Sequence, residues 1–314
     1  MRPRPPSPTA LRNAPARWLR AIACAVCCAW LAACTPQPPF AQLSGLLLDA
    51  QLSEISGIAA SHRHEDVLYV ANDGGNAARL YAISRRGGKL ATFRIAGAEN
   101  TDWEDLASFE LDGRDWLLVA DTGDNGGLRR TLQLHVFEEP AKIADGTLRP
   151  AWTIVFRWPD GARDCEAVAV DPLRGEVLLV SKKRRPPELF SLPLRPGAGG
   201  TLVARPLGKV AGVPEGDKDE VAANPELARI RSQVTSADIA PDGHAFALMT
   251  YRDVLLYPRR GREGWAAALS RAPEIHSLPL LPQAEALGWS ADGLGLYATG
   301  EFSPAPLLYL NPDP

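Results

Sequence analysis

Five stretches of the chain repeat one pattern of apolar and polar positions: EISGIAAS…LYVAND (54–73), WEDLASF…LLVADT (103–122), CEAVAVD…VLLVSKK (165–183), SADIAPDGHAFALMTY (236–251) and EALGWSADGLGLYATGE (285–301). Each reads as a short strand, a turn such as Pro241-Asp242-Gly243 or Ala291-Asp292-Gly293, and a second apolar strand. Third strands follow at 79–84, 133–138, 188–194, 254–258 and 307–310, and fourth strands at 89–97, 152–158, 202–212 and, more faintly, 274–280. The last repeat lacks a fourth strand, and residues 43–52 ahead of the first repeat can supply it. The anchor residues Ile58, Leu106, Val168, Ile239 and Leu287 are spaced by 48, 62, 71 and 48 residues, the length of a four-stranded blade with two insertions.

The pattern therefore predicts an all-β chain, a β-propeller of four-stranded blades, with five blades expected and six the alternative if 195–235 holds a degenerate one. Small residues at Gly57, Ala59, Ala107, Ala167, Ala169, Ala237, Ala286 and Gly288 suit first strands that crowd toward an axis. A parallel α/β sheet would need helical crossovers, and only 220–233 offers one.

Propeller geometry then gathers charge. The loops into first strands and the loops between second and third strands open on one face, while the Asp-Gly turns open on the other. Glu104, Glu166 and Glu285 each stand two residues before their anchors, with Ser56 and Ala237 in the other two repeats. Second-strand ends add Asp73, Asp121, Asp124, Lys182, Lys183, Arg252 and Glu301 to the same mouth. Like charges this close need a compensating cation. The expected metal ligands are Glu104, Asp121, Asp124, Glu166 and Glu285, and the expected ion is Ca2+, which takes oxygen donors only. The alternative is that Lys182, Arg252 or Arg129 neutralises the acids and ties blades together.

The histidines show no metal-ligand spacing, no nucleophile elbow is present, and Cys165 reads as inner-strand packing. Trp103, with Trp116, Trp152, Trp158 and Trp289, reads as core. Residues 213–233 should form an insertion on the acidic face, with Asn224-Pro225 starting a short helix.

The N-terminus adds an address. Five arginines, from Arg2 to Arg20, precede an apolar run from Ala21 to Leu31, the pattern of a secretory signal. Leu31-Ala32-Ala33-Cys34 resembles the lipobox of bacterial lipoproteins, implying removal of 1–33, lipidation of Cys34, a tether over 34–42 and a propeller over 43–314. Thr35 after the cysteine, in place of Asp, points to the outer membrane of a bacterial envelope. Without 1–33 the chain carries 29 basic against 37 acidic residues, a net of −8, which argues against nucleic acid as a partner.

The motifs WEDLA, ADTGDN, CEAVAVDP, VTSADIAPDG and EALGWSADG resemble a group of secreted bacterial propellers of largely uncharacterised function, over nearly all of 51–310. More distantly the pattern is similar to SdiA-regulated and esterase-like phytase propellers and to gluconolactonase-type lactonases. The lactonase likeness implies a mouth metal held by Glu104, Asp121, Glu166 and Glu285, and the phytase likeness implies phosphate held by Lys182, Lys183 and Arg252. Two functions are in view. One is binding of a small-molecule or protein ligand at a calcium-bearing mouth, and the other is metal-dependent hydrolysis of a phosphoester or lactone, with catalytic candidates Glu104, Glu166, Glu285, Lys182 and Arg252.

Overall fold

The computed structural model describes residues 39–312, apart from 198 and 280. The signal segment and Cys34 lie outside the described residues. Strand β1 (Ala41–Leu47) comes first but belongs to the last blade. Blade 1 is β2 (Ile55–Ala60), β3 (Val67–Asn72), β4 (Arg79–Ser84) and β5 (Lys89–Ile95). Blade 2 is β6 (Trp103–Leu111), β7 (Arg114–Asp121), β8 (Leu132–Glu138) and β10 (Trp152–Arg157), with β9 (Gly146–Leu148) between the last two. Blade 3 is β11 (Ala167–Asp171), β12 (Glu176–Val180), β13 (Glu188–Pro193) and β15 (Arg205–Lys209), with β14 (Leu202–Val203) before its outer strand. Helices α1 (Lys218–Ala223) and α2 (Pro225–Ile230) lead into blade 4, which is β16 (Val234–Ile239), β17 (Ala245–Thr250), β18 (Asp253–Pro258) and β19 (Glu274–Ser277), with α3 (Trp265–Leu269) inserted before β19. Blade 5 is β20 (Ala284–Trp289), β21 (Leu296–Gly300) and β22 (Ala305–Leu310), completed by β1.

The ring has five blades. The 195–235 region that would have held a sixth contains β14, β15, α1 and α2 instead. Closure is by antiparallel pairing of β1 with β22, and it begins at Ala41↔Leu310, so the first strand takes in two residues assigned above to the tether. One apolar cluster fills each junction between neighbouring blades, because the first and second strands of each blade are buried on both faces. Trp103, fully buried, is part of the cluster between blades 1 and 2, with its indole N–H donating to Glu99 O at 3.0 Å. Cys165 is equally buried, between blades 2 and 3.

Close approach at the axis explains the small residues on inner strands. A Cβ on Gly57 would lie 2.6 Å from Leu106 N of the next blade, and one on Gly288 would lie 2.5 Å from Ile58 O across the closing junction. Outside, β9 pairs in parallel with β5 and β14 with β10, so segments of blades 2 and 3 cover the outer edges of blades 1 and 2.

Buried carboxylates tie the inner strands. Asp238 accepts from Ile239 N and from Trp289 N, both at 2.8 Å, joining blade 4 to blade 5. Burial pushes its carboxyl up to about 7 against those two donors. The folded chain therefore holds a proton that the unfolded chain loses near its ordinary value of 3.8. The stabilisation is complete below that value and is lost as pH rises toward about 7, by on the order of 4 kcal/mol. Denaturant titrations at pH 4 to 8 should show this decline in the wild type and a flatter curve in Asp238→Asn. Parallel curves would mean that the two N–H donors keep Asp238 ionised.

Candidate functional site

One feature of the inner strands aims the acids. A bulge sits near the start of β2, β6, β16 and β20, and the extra residues are Ser56, Glu104, Thr235 and Glu285. Glu166 holds the same place in blade 3, directly before the pair Ala167↔Val180. A bulge re-aims a side chain and breaks the ladder, which frees these residues for the channel mouth. The register also corrects the sequence alignment: the blade 4 equivalent is Thr235, not Ala237, because its anchor is Ala237, paired with Leu248, rather than Ile239.

The same register defines two further sets. Two residues beyond the second-strand partners Ala71, Ala120, Val180, Met249 and Thr299 stand Asp73, Thr122, Lys182, Tyr251 and Glu301. Two residues before the bulge position stand Glu54, Asp102, Asp164, Gln233 and Gln283. Where the bulge residue carries a hydroxyl it fastens the next blade: Ser56 Oγ donates to Trp103 O at 2.8 Å and Thr235 Oγ1 to Ala284 O at 2.7 Å. In blade 2 the bulge is Glu104, and Thr122 makes the equivalent bond to Cys165 O at 2.7 Å.

Two groups of carboxylates converge, with one oxygen from each member within 4.8 Å of the others: Asp73, Asp102 and Glu104, and Glu104, Asp164 and Glu166. Glu104 belongs to both. Basic partners separate the groups. Lys182 pairs with Glu166, and Lys183 Nζ lies 2.8 Å from Asp164 Oδ2 in an ion pair without hydrogen-bond alignment. Asp73, Asp102 and Glu104 form no ion pair among the described residues, and the Glu104 carboxylate, only 5% exposed, has no hydrogen-bond donor among them. Burial first, then the charges of Glu166, Asp73 and Asp102, push the Glu104 carboxyl well up. Burial likewise raises Asp73, to about 6, and Asp102.

Glycines make the room. A Cβ on Gly123 would overlap the carboxylates of Asp102 and Glu104, and one on Gly74 would overlap that of Asp102. No side chain larger than hydrogen fits at either position without displacing the cluster.

The other expected residues have different employment. Asp121 pairs with Arg129 at 2.7 Å and accepts from Asp102 N at 3.2 Å. Asp124 caps its own turn, accepting from Leu128 N at 2.7 Å and Arg129 N at 3.1 Å. Neither belongs to a convergent group. Glu285 accepts from Tyr251 Oη at 2.8 Å, and burial, together with Glu285 beside it, pushes Glu301 up to about 8. Arg252 turns from the acids to Glu220 of α1, at 3.3 Å. Burial alone would lower the Lys182 ammonium, but Glu166 and Tyr251 override it and hold it raised.

Asp102 and Asp164 were not singled out in the sequence, although the recurrence of Asp-x-Glu in Asp102-Trp103-Glu104 and Asp164-Cys165-Glu166 signals them. The insertion forms two short helices where one was expected. Asp217 and Glu220 make a capping box on α1, and Asn224 caps α2 by accepting from Leu227 N at 3.2 Å, with Pro225 in the first turn. Contacts from Arg252 to Glu220 and from Arg185 to Arg229 O join it to second-to-third-strand loops, on the acidic face.

Below the mouth, Asp105 closes the axis. Its carboxylate accepts from Leu106 N at 2.9 Å, Val168 N at 2.8 Å, Ala237 N at 3.2 Å and Ser236 Oγ at 2.9 Å, so donors from three blades meet on one side chain. A concavity of about 730 Å³ lies elsewhere, at the outer edge of blade 1 beside Lys89, Arg94 and Asp145. It is an open groove with none of the convergent carboxylates.

Fold and side-chain placement together define a five-bladed β-propeller with buried carboxylates converging where the first strands of blades 2 and 3 begin. No protein-family model matches the chain, and no curated protein matches it. Among solved structures, the crystal structure of Chaetomium thermophilum Raptor matches over 91% of this chain and 30% of its own, at 14% identity and a TM-score of 0.46. This chain thus spans less than a third of that one, and a likeness so distant says nothing of activity.

Proposed function

We propose that the protein is a lipid-anchored envelope propeller whose mouth holds a hard divalent cation, Ca2+, between Asp73, Asp102 and Glu104, and presents it to a small-molecule or protein ligand. The observation that carries this is Glu104, a carboxylate 5% exposed without donor or basic partner among the described residues. A carboxylate so placed is neutralised by a proton or matched by a counter-ion, and a divalent cation shared with Asp73 and Asp102 can take the proton's place. Three oxygen donors and no nitrogen or sulfur suit calcium, with water completing its six to eight ligands. Anchoring rests on the Leu31-Ala32-Ala33-Cys34 sequence.

The charge of the mouth indicates the ligand. Among the described residues, Asp73, Asp102, Glu104, Asp164, Glu166, Glu285 and Glu301 are offset by Lys182, Lys183 and, through its charge on Asp102, Arg129, so one divalent cation still leaves an excess of carboxylates. A neutral or cationic ligand is favoured over a phosphate, which places binding ahead of phosphoester hydrolysis. Calorimetric titration of the purified protein with CaCl2 should give one ion per chain, and Asp102→Asn should weaken binding at least tenfold. Heat-silent titration with calcium, together with unchanged stability, would end the cation reading. Calcium-dependent turnover in a lactone and phosphoester panel, abolished by Glu104→Gln, would replace binding with hydrolysis.

A further inference from the structure

Resting on that reading, we infer that Lys182 is a tethered cation occupying the second of two adjacent cation positions that share Glu104, so the mouth takes one divalent ion on a frame laid out for two. The first ground is geometric. Asp164, Glu166 and Glu104 converge as closely as Asp73, Asp102 and Glu104 do, and Glu104 is common to both groups, the place of a bridging carboxylate. The second ground is positional. By strand register Lys182 is the blade 3 counterpart of Asp73, so one position supplies an anionic ligand in blade 1 and an ammonium in blade 3.

The third ground is burial. Lys182 is 7% exposed and Glu166 is 4% exposed, and they pair directly with each other. A surface lysine would gain little from such a pair, whereas here both charges are withdrawn from water and each requires the other. Tyr251 lies beside the ammonium, with Nζ 5.3 Å from its ring centroid, while its hydroxyl donates to Glu285 Oε1 at 2.8 Å. Lys183, 41% exposed, adds charge at Asp164 and donates to Asn125 Oδ1 at 2.6 Å. Removing the Lys182 charge would leave Glu104, Asp164 and Glu166 as a second acidic group with the same donor chemistry as the first.

The test counts ions. Titrating the purified wild-type protein with CaCl2 should give one ion per chain, and Lys182→Met should give two. Lys182→Met should melt lower than wild type without calcium and recover more on calcium addition than wild type gains. The double variant Lys182→Met with Glu166→Gln, which removes both charges of the pair, should return to one ion. If wild type binds one calcium and Lys182→Met binds one with unchanged affinity and no enlarged stability response, the inference is overturned while the cation site stands. If neither protein binds calcium, the cation site falls as well. Should Lys182→Met fold only with calcium present, that supports the inference; should it stay unfolded in calcium while the double variant folds, that overturns it.

Discussion

Calcium at about one hundred times its dissociation constant is expected to raise the melting temperature by roughly 5–10 °C, since an ion bound only by the folded state adds about 2.7 kcal/mol. The ligands come from two blades: Asp73 directly follows the second strand of blade 1, and Asp102 and Glu104 flank Trp103 at the start of the first strand of blade 2. They meet only when blades 1 and 2 pack together, so the unfolded chain offers no comparable site. Glu104→Gln should act in two opposite ways. Without calcium, near neutral pH, it should melt higher than wild type, because the amide needs no proton taken up on folding as the raised Glu104 carboxyl does, and with calcium it should gain little. That crossing of the two proteins is the diagnostic result, since a carboxylate with a merely structural role would lower stability in both conditions. Asp242→Asn, in a turn on the opposite face, should leave the calcium response as in wild type. A melting temperature indifferent to calcium, magnesium and EDTA would instead mean that the acids are neutralised by protons and by Lys182.

A second large effect is expected at Asp105. Asp105→Ala should cost about 3–5 kcal/mol in urea or guanidinium unfolding, because donors from three blades lose their shared acceptor at the axis. Burial pushes this carboxyl up, while the four donors pull in the other direction. Asp105→Asn, which keeps one acceptor oxygen but turns an amide toward N–H groups, should fall between wild type and alanine. A loss under about 1 kcal/mol for Asp105→Ala would show that water replaces the carboxylate and that the inner strands hold without it. Calcium stoichiometry should survive either change, since Asp105 is in neither convergent group.

Strands were legible in the sequence because their signal is local. Alternating apolar runs, Asp-Gly turns and small inner-strand residues placed all five blades and the closing strand within a few residues. The helix start at Asn224-Pro225 was legible for the same reason, as capping depends on the next three residues. Less visible were β9 and β14, whose partners lie in a neighbouring blade and leave no periodicity of their own. The phase of blade 4 was misread by two residues, since its anchor is the small Ala237 and the larger apolar Ile239 stands two residues on, on the same face of the strand.

The candidate site divides along the same line. Sequence by itself determined that carboxylates recur at one place in the repeat and that this place faces a common mouth, because strand length and turn order dictate it. Only the tertiary structure decided which acids keep their charge uncompensated. Lys182 reaches Glu166, Arg129 reaches Asp121, and Arg252 reaches Glu220, leaving Asp73, Asp102 and Glu104 together. Those pairings follow from which strand ends, loops and insertion the fold brings within a side chain's reach, a distance that spacing along the chain does not encode.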